Sequence, residues 1–179
     1  MRKLIFAFVV LAAMTTAVFA QGNSTKSSSP AKSSNSGSEH RGYGYVFVAP
    51  GVVSDGGYGT ATMHFGGGGE GLIKGGFGVG AEIGGLAPVD GFSEGFGVFS
   101  AGANYHFLNA SQSGKIVPFV NGGYTMFFRN GVANGGHFGG GVNYWFKERV
   151  GLRFEVRDHI VSEIPGTHFI GFRFGLTFR

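Results

Sequence analysis

From Tyr43 onward, apolar and polar residues alternate with a period of two. The last segment is the clearest: Ile170, Phe172, Phe174, Leu176 and Phe178 are interleaved with Gly171, Arg173, Gly175 and Thr177. A helix repeats every 3.6 residues, so strict alternation is the mark of a strand whose two faces meet different surroundings. The segment before it reads the same way, with Val150, Leu152, Phe154 and Val156 against Gly151, Arg153, Glu155 and Arg157. Upstream, Phe138, Val142, Tyr144 and Phe146 alternate with Gly139, Gly141, Asn143 and Trp145. Phe99, Ala101, Ala103, Tyr105 and Phe107 do so with Ser100, Gly102, Asn104 and His106, and Phe77, Val79, Ala81 and Ile83 with Gly78, Gly80, Glu82 and Gly84.

The pattern predicts eight strands, at about 43–53, 58–72, 75–88, 94–108, 116–128, 136–147, 149–161 and 167–178. Turn chemistry separates them at Ser54-Asp55-Gly56-Gly57, Val89-Asp90-Gly91, Asn109 to Gly114, Asn130-Gly131, Lys147-Glu148 and Ile164-Pro165-Gly166. An even number of strands suits a closed up-and-down barrel, and most reach the roughly 9–11 residues needed to cross a hydrocarbon layer at a tilt. The expected fold class is therefore all-β: an eight-stranded antiparallel up-and-down transmembrane β-barrel over 42–179, preceded by a disordered leader.

Energetics decide which face points outward. In a soluble barrel the phenylalanines would fill the core and Arg153, Glu155, Arg157 and Arg173 would face water; in lipid the assignment inverts. Inversion fits better, because the polar set is rich in glycine, which makes room inside a narrow lumen for long charged side chains. With both termini periplasmic, Tyr43, Tyr45, Tyr105, Phe107, Tyr144, Phe146 and Phe178 fall at one end of their strands and predict an aromatic girdle at the membrane interface. The connections at the opposite end, near 54–57, 89–93, 129–135 and 162–166, are short for an adhesive surface.

The first twenty residues differ from the rest. Arg2 and Lys3 precede the apolar run Leu4–Ala13, and Val18-Phe19-Ala20 offers a cleavage site, so residues 1–20 read as a secretory signal peptide. Residues 21–41 contain eight serines and no apolar side chain larger than Ala31; they form a Ser-rich linker that cannot offset the cost of ordering. After residue 20 no apolar run is long enough for a membrane-spanning helix. With no cysteine there is neither a disulfide framework nor a lipidated lipoprotein cysteine, so membrane attachment must come from the fold. The formal charge of +4 falls to +2 without Arg2 and Lys3, which implies no nucleic-acid partner. Glycine, at 36 of 179 residues beside 20 Phe, argues against helices and, lacking a triplet repeat, against collagen.

Taken together, the signal segment, the leader and the alternating strands over 43–179 resemble the OmpA/OmpX-like family of small outer-membrane β-barrel proteins. The closing Phe172-x-Phe174-x-Leu176-x-Phe178 is similar to the C-terminal aromatic signature by which such barrels are recognised by the outer-membrane assembly machinery, although this chain ends in Arg179. The run Leu152 to Asp158 resembles the charged lumenal strand of that family. The resemblance implies export through the periplasm to the cell outer membrane, with outer-membrane lipid and lipopolysaccharide as surroundings, and leaves activity open.

Candidate chemistry is sparse. Histidines 64, 106, 137, 159 and 168 lie in no metal-binding pattern and read as scattered over strands and depths. A triad from Ser100, His106 and Asp158 has no local signature. Gly66–Gly69 and Gly139–Gly141 are not phosphate loops, since no helix or Lys-Ser/Thr follows; they provide curvature and lumen space. Glu70, Glu82, Arg153, Glu155, Arg157 and Arg173 share the inward parity of their strands and predict an internal ion-pair network. The expected function is a structural, non-enzymatic barrel with a polar, charge-lined lumen and no cofactor. A small passive pore is the alternative, and a lipid A-modifying barrel enzyme stands further off.

Overall fold

The computed structural model describes residues 42–179 apart from positions 56, 112 and 165, so the expected signal segment and serine-rich leader lie outside the described residues. Eight strands run β1 (Gly42–Asp55), β2 (Tyr58–Lys74), β3 (Phe77–Pro88), β4 (Phe96–His106), β5 (Ile116–Phe128), β6 (Val132–Trp145), β7 (Val150–Val161) and β8 (Thr167–Phe178). Each pairs antiparallel with the next, and β8 returns to pair with β1, closing the barrel. This is the eight-stranded up-and-down transmembrane class that the alternation predicts.

The ends of several strands differ from expectation for local reasons. β3 begins at Phe77 rather than 75, because Gly75 and Gly76 take positive φ (62° and 88°) to turn the chain. A single 3-10 turn, Phe92–Glu94, delays β4 to Phe96, and β4 ends at His106. β6 spans Val132–Trp145 instead of 136–147, which shortens the β5–β6 connection to positions 129–131. The glycine run 66–69 lies within an unbroken β2.

The faces divide as an inverted barrel requires. Val156, Phe172 and Phe174 are about half exposed on the outside, while Arg153, Arg157 and Arg173 are each 3% exposed inside. Tyr105, Phe107, Tyr144, Phe146 and Phe178 are exposed at the end that carries the termini. Tyr43 and Tyr45 are not part of that girdle: both are buried in the lumen, with Phe47 and Ala49, while Val46, Val48 and Val52 face outward. The reason lies in their neighbours. Phe47 is paired with Gly66 on β2 and Gly175 on β8, and a Cβ at Gly66 would come within 3.0 Å of its ring. Glycine on the flanking strands thus opens space that β1 fills with aromatic rings.

Candidate functional site in the barrel interior

The interior is layered along the barrel axis. In its middle, strand β7 presents Arg153, Glu155 and Arg157 inward. Glu155 is paired laterally with Gly141 and Arg173, and Arg157 with Gly139 and Gly171. Glycine on both sides of Arg157 and on one side of Glu155 lets the long side chains lie across the lumen.

There they meet carboxylates from the far wall. Arg173 donates to both oxygens of Glu82, at 2.8 and 3.1 Å. Arg157 donates to Glu82 at 2.7 Å and through Nε to Glu155. Arg153 reaches Glu155 at 3.2 Å and Glu70 at 3.4 Å. Tyr45 Oη donates to Glu82 at 3.1 Å, and Asn121 Nδ2 to Glu155 at 2.9 Å. The structure therefore brings Glu70, Glu82, Arg153, Glu155, Arg157 and Arg173 into one buried cluster of three carboxylates and three guanidiniums. Aromatic faces meet two of the cations: Arg153 lies 3.9 Å from the Phe119 centroid and 4.5 Å from that of Tyr45, and Arg173 lies 3.5 Å from that of Phe47. Ring quadrupoles and carboxylates together replace the water that the charges lose. A void of about 10 Å³ lined by Tyr45, Glu82, Ser100, His137 and Arg157 is room for roughly one water probe.

Toward the end opposite the termini lies a layer that the sequence reading missed. His64, His137 and His159 are not scattered: the His159 ring is 5.9 Å from His64 and 5.6 Å from His137. Thr125 Oγ1 sits among them, 2.9 Å from His137 Nδ1, 3.1 Å from His159 Nδ1 and 3.0 Å from Ser100 Oγ. A hydroxyl has one proton, so it donates to one neighbour and accepts from the others. The signal was present in the strand register, since His137 faces His159 across β6–β7 and Ser100 faces Thr125 across β4–β5. Among the described residues no cluster of three or more His, Cys, Asp or Glu is arranged to hold a metal ion.

Above the imidazoles the lumen turns apolar, with Leu86, Val98, Phe127 and Phe169 packed together. Tyr43, Val117 and Trp145 form a second apolar cluster at the end carrying the termini. Arg179 closes that end, its guanidinium 4.3 Å from the Trp145 centroid and its Nε donating to the Glu148 carbonyl. Nearby, His106 Nε2 lies 3.0 Å from Glu70 but off the line of a hydrogen bond. The components of the imagined triad stay apart: Ser100 bonds Thr125, His106 neighbours Glu70, and Asp158 faces outward and pairs with His168 at 2.9 Å. Phe172, Phe174, Leu176 and Phe178 project outward from β8.

An apolar exterior around a charge-filled interior, in a closed eight-stranded meander, defines a small transmembrane β-barrel. The chain is similar to Neisserial surface protein A (TM-score 0.60, 15% identity, covering 76% of this chain and 96% of that one). It is also similar to Ail, the attachment invasion locus protein of Yersinia pestis (0.51, 12%, 76% and 96%), and to the outer membrane protein OprG of Pseudomonas aeruginosa (0.51, 10%, 76% and 94%). At these identities the likeness is one of fold. No family model matches the sequence, and no curated protein matches it.

Proposed function

We propose that the chain is a structural, non-enzymatic barrel of the outer membrane whose lumen is plugged by its own ion pairs. The observation that carries this reading is the middle layer, where guanidiniums and carboxylates from opposite walls meet beside a void of only about 10 Å³. A hydrated ion cannot pass without breaking several buried charge pairs, each of which is costly to strand. The outer-membrane setting rests on the apolar outer face and on solved barrels of the same fold. Outer-membrane lipid and lipopolysaccharide are the partners of that face. The outward stripe Phe172, Phe174, Leu176 and Phe178 is the segment offered to the assembly machinery after export through the periplasm.

The test is conductance of the purified full chain in a planar bilayer. Silence is expected; discrete, reproducible steps would replace the plug by a passive pore. A mass shift in lipid A on expression would overturn the non-enzymatic reading.

A further inference from the structure

At the end of the barrel that carries the termini, the hairpins are β2–β3, β4–β5 and β6–β7, and every one bears an exposed cation. Lys74 stands at the first, Lys115 at the second, and Lys147 and Arg149 at the third. Among the described residues of these hairpins Glu148 is the one exposed carboxylate, and none of the four cations lies within ion-pair distance of a described carboxylate. The opposite end has the reverse sign. Asp90, Glu94 and Glu163 are exposed in its turns, while its exposed cation, Arg129, is engaged by the carbonyls of Glu94 (2.9 Å) and Ser93 (3.0 Å). The four free cations also share a depth. Lys74 pairs with Phe77, and Lys147 follows Phe146 in the chain. The Lys115 carbonyl accepts the Trp145 N–H one residue beyond the Ile116–Tyr144 pair, and the Arg149 carbonyl accepts the Arg179 N–H one residue beyond the Val150–Phe178 pair. Phe77, Tyr144, Phe146 and Phe178 are all exposed on the outer wall, so each cation lies level with a ring of the aromatic girdle or one residue outside it.

We propose that Lys74, Lys115, Lys147 and Arg149 form a ring that binds the headgroups of anionic phospholipids in the leaflet at this end, a partner that rests on the membrane-barrel reading above. Depth selects the headgroup. Exposed aromatic side chains settle at the boundary between hydrocarbon and headgroups, so a cation one residue farther out, about 3.3 Å along a strand, stands at the level of the phosphates. The long stems lie along apolar surface while the charged tips reach outward to a phosphodiester. Distribution selects lipid over a docked protein. The cations occupy all three hairpins of that end rather than one sector, and the connection at Gly75 and Gly76 is too short to build a platform for a protein. A lipid annulus meets the whole perimeter. Charge complementarity then favours anionic over zwitterionic headgroups, and the carboxylates of the opposite end offer no such attraction.

The experiment uses the full chain refolded into phosphatidylcholine vesicles that carry a trace of spin-labelled phosphatidylglycerol or spin-labelled phosphatidylcholine. Electron spin resonance reads the motionally restricted fraction of each label. Phosphatidylglycerol is expected to be enriched about threefold or more at the barrel wall, and about 0.5 M salt should remove most of that preference by screening. Lys74→Gln, Lys115→Gln, Lys147→Gln and Arg149→Gln combined should bring the two lipids to parity while the heat-modifiable gel band persists, since all four side chains are exposed. Asp90→Asn with Glu94→Gln at the other end should leave the preference in place. Should the fourfold variant fail to fold, the salt dependence of the unaltered chain decides alone. Equal restriction of both lipids, a preference that salt does not weaken, or a preference that survives in the folded fourfold variant would each overturn the proposal. Absence of any restricted lipid, whatever its headgroup, would instead remove the membrane reading beneath it.

Discussion

Arg173 on β8 and Glu82 on β3 are joined by two hydrogen bonds, 2.8 and 3.1 Å long, although β1 and β2 lie between their strands around the wall. The pair is a strut across the lumen. Because Glu82 also takes Arg157, and Arg157 takes Glu155, removing one member leaves an odd charge among neighbours that cannot reach water. Arg173→Ser is expected to cost roughly 3–5 kcal/mol, the usual penalty for stranding a buried partner. Arg173→Met combined with Glu82→Leu should cost less than the single change. Urea titration of the refolded variants in lipid vesicles measures both.

The outward face of β7 sets a depth scale. Val156 lies mid-strand, whereas Leu152 pairs with Tyr144 near the aromatic ring at the terminal end. Arginine at a bilayer midplane costs about 2–4 kcal/mol and about 0–1 near an interface. Val156→Arg should therefore destabilise more than Leu152→Arg, with Phe154→Arg between them, in the same titration. Equal costs at all three positions would contradict a lipid-facing wall.

Gly68 tests whether lumenal glycine is structural. It is paired with Tyr45 and Glu82, and a Cβ there would lie 2.5 Å from the Ala81 carbonyl oxygen and 2.6 Å from Glu82 Cβ. Gly68→Ala should cost about 1–3 kcal/mol as an overpacking change. Gly71, with nothing within 4 Å of an added Cβ, is the control and should tolerate alanine.

Outside the wall, Glu163 in the β7–β8 turn accepts the Asn134 backbone N–H at 2.8 Å and its amide Nδ2 at 2.9 Å. These donors favour the ionised carboxylate and hold its pKa below the ordinary glutamate value. The sign follows: the contribution is present at neutral pH and is lost as pH falls through the depressed folded-state pKa. The Asn134 amide resonance should titrate with a midpoint below 4.5, and Glu163→Gln should abolish that titration.

Much of the fold was legible because lipid and lumen impose opposite chemistry on successive residues. The alternation in β7 and β8 placed Arg153, Glu155, Arg157 and Arg173 on one parity, and the structure puts all four inside. β1 was misread in part. Its aromatic residues suggested an interface girdle, but Tyr43 and Tyr45 share the inward parity of Phe47, and the glycines that make room for this row, Gly66 and Gly68 on β2 and Gly175 on β8, meet it only once the strands pair, which a local pattern does not reveal. The imidazole layer was missed for a related reason: His64, His137 and His159 belong to three strands and meet only once register fixes their depth. The apolar layer above the imidazoles was hidden because Leu86, Phe127 and Phe169 are inward residues of the composition expected outside.

Seven of the barrel's eight strand pairs join neighbours in sequence, and one does not. Between β1 and β8 the ladder runs from Gly44–Phe178 to Val48–Phe174, skips Ala49 and Pro50, and resumes at Gly51–Gly171. Pro50 has no N–H to give, so the seam that joins the two ends of the domain has a missing stitch. Those ends are the most distant in sequence, and the entropy of bringing them together must be met before their contacts form. Closing β1 on β8 therefore carries the largest chain-entropy cost of the eight pairings, and the seam is held by ladders on either side of the gap rather than through it.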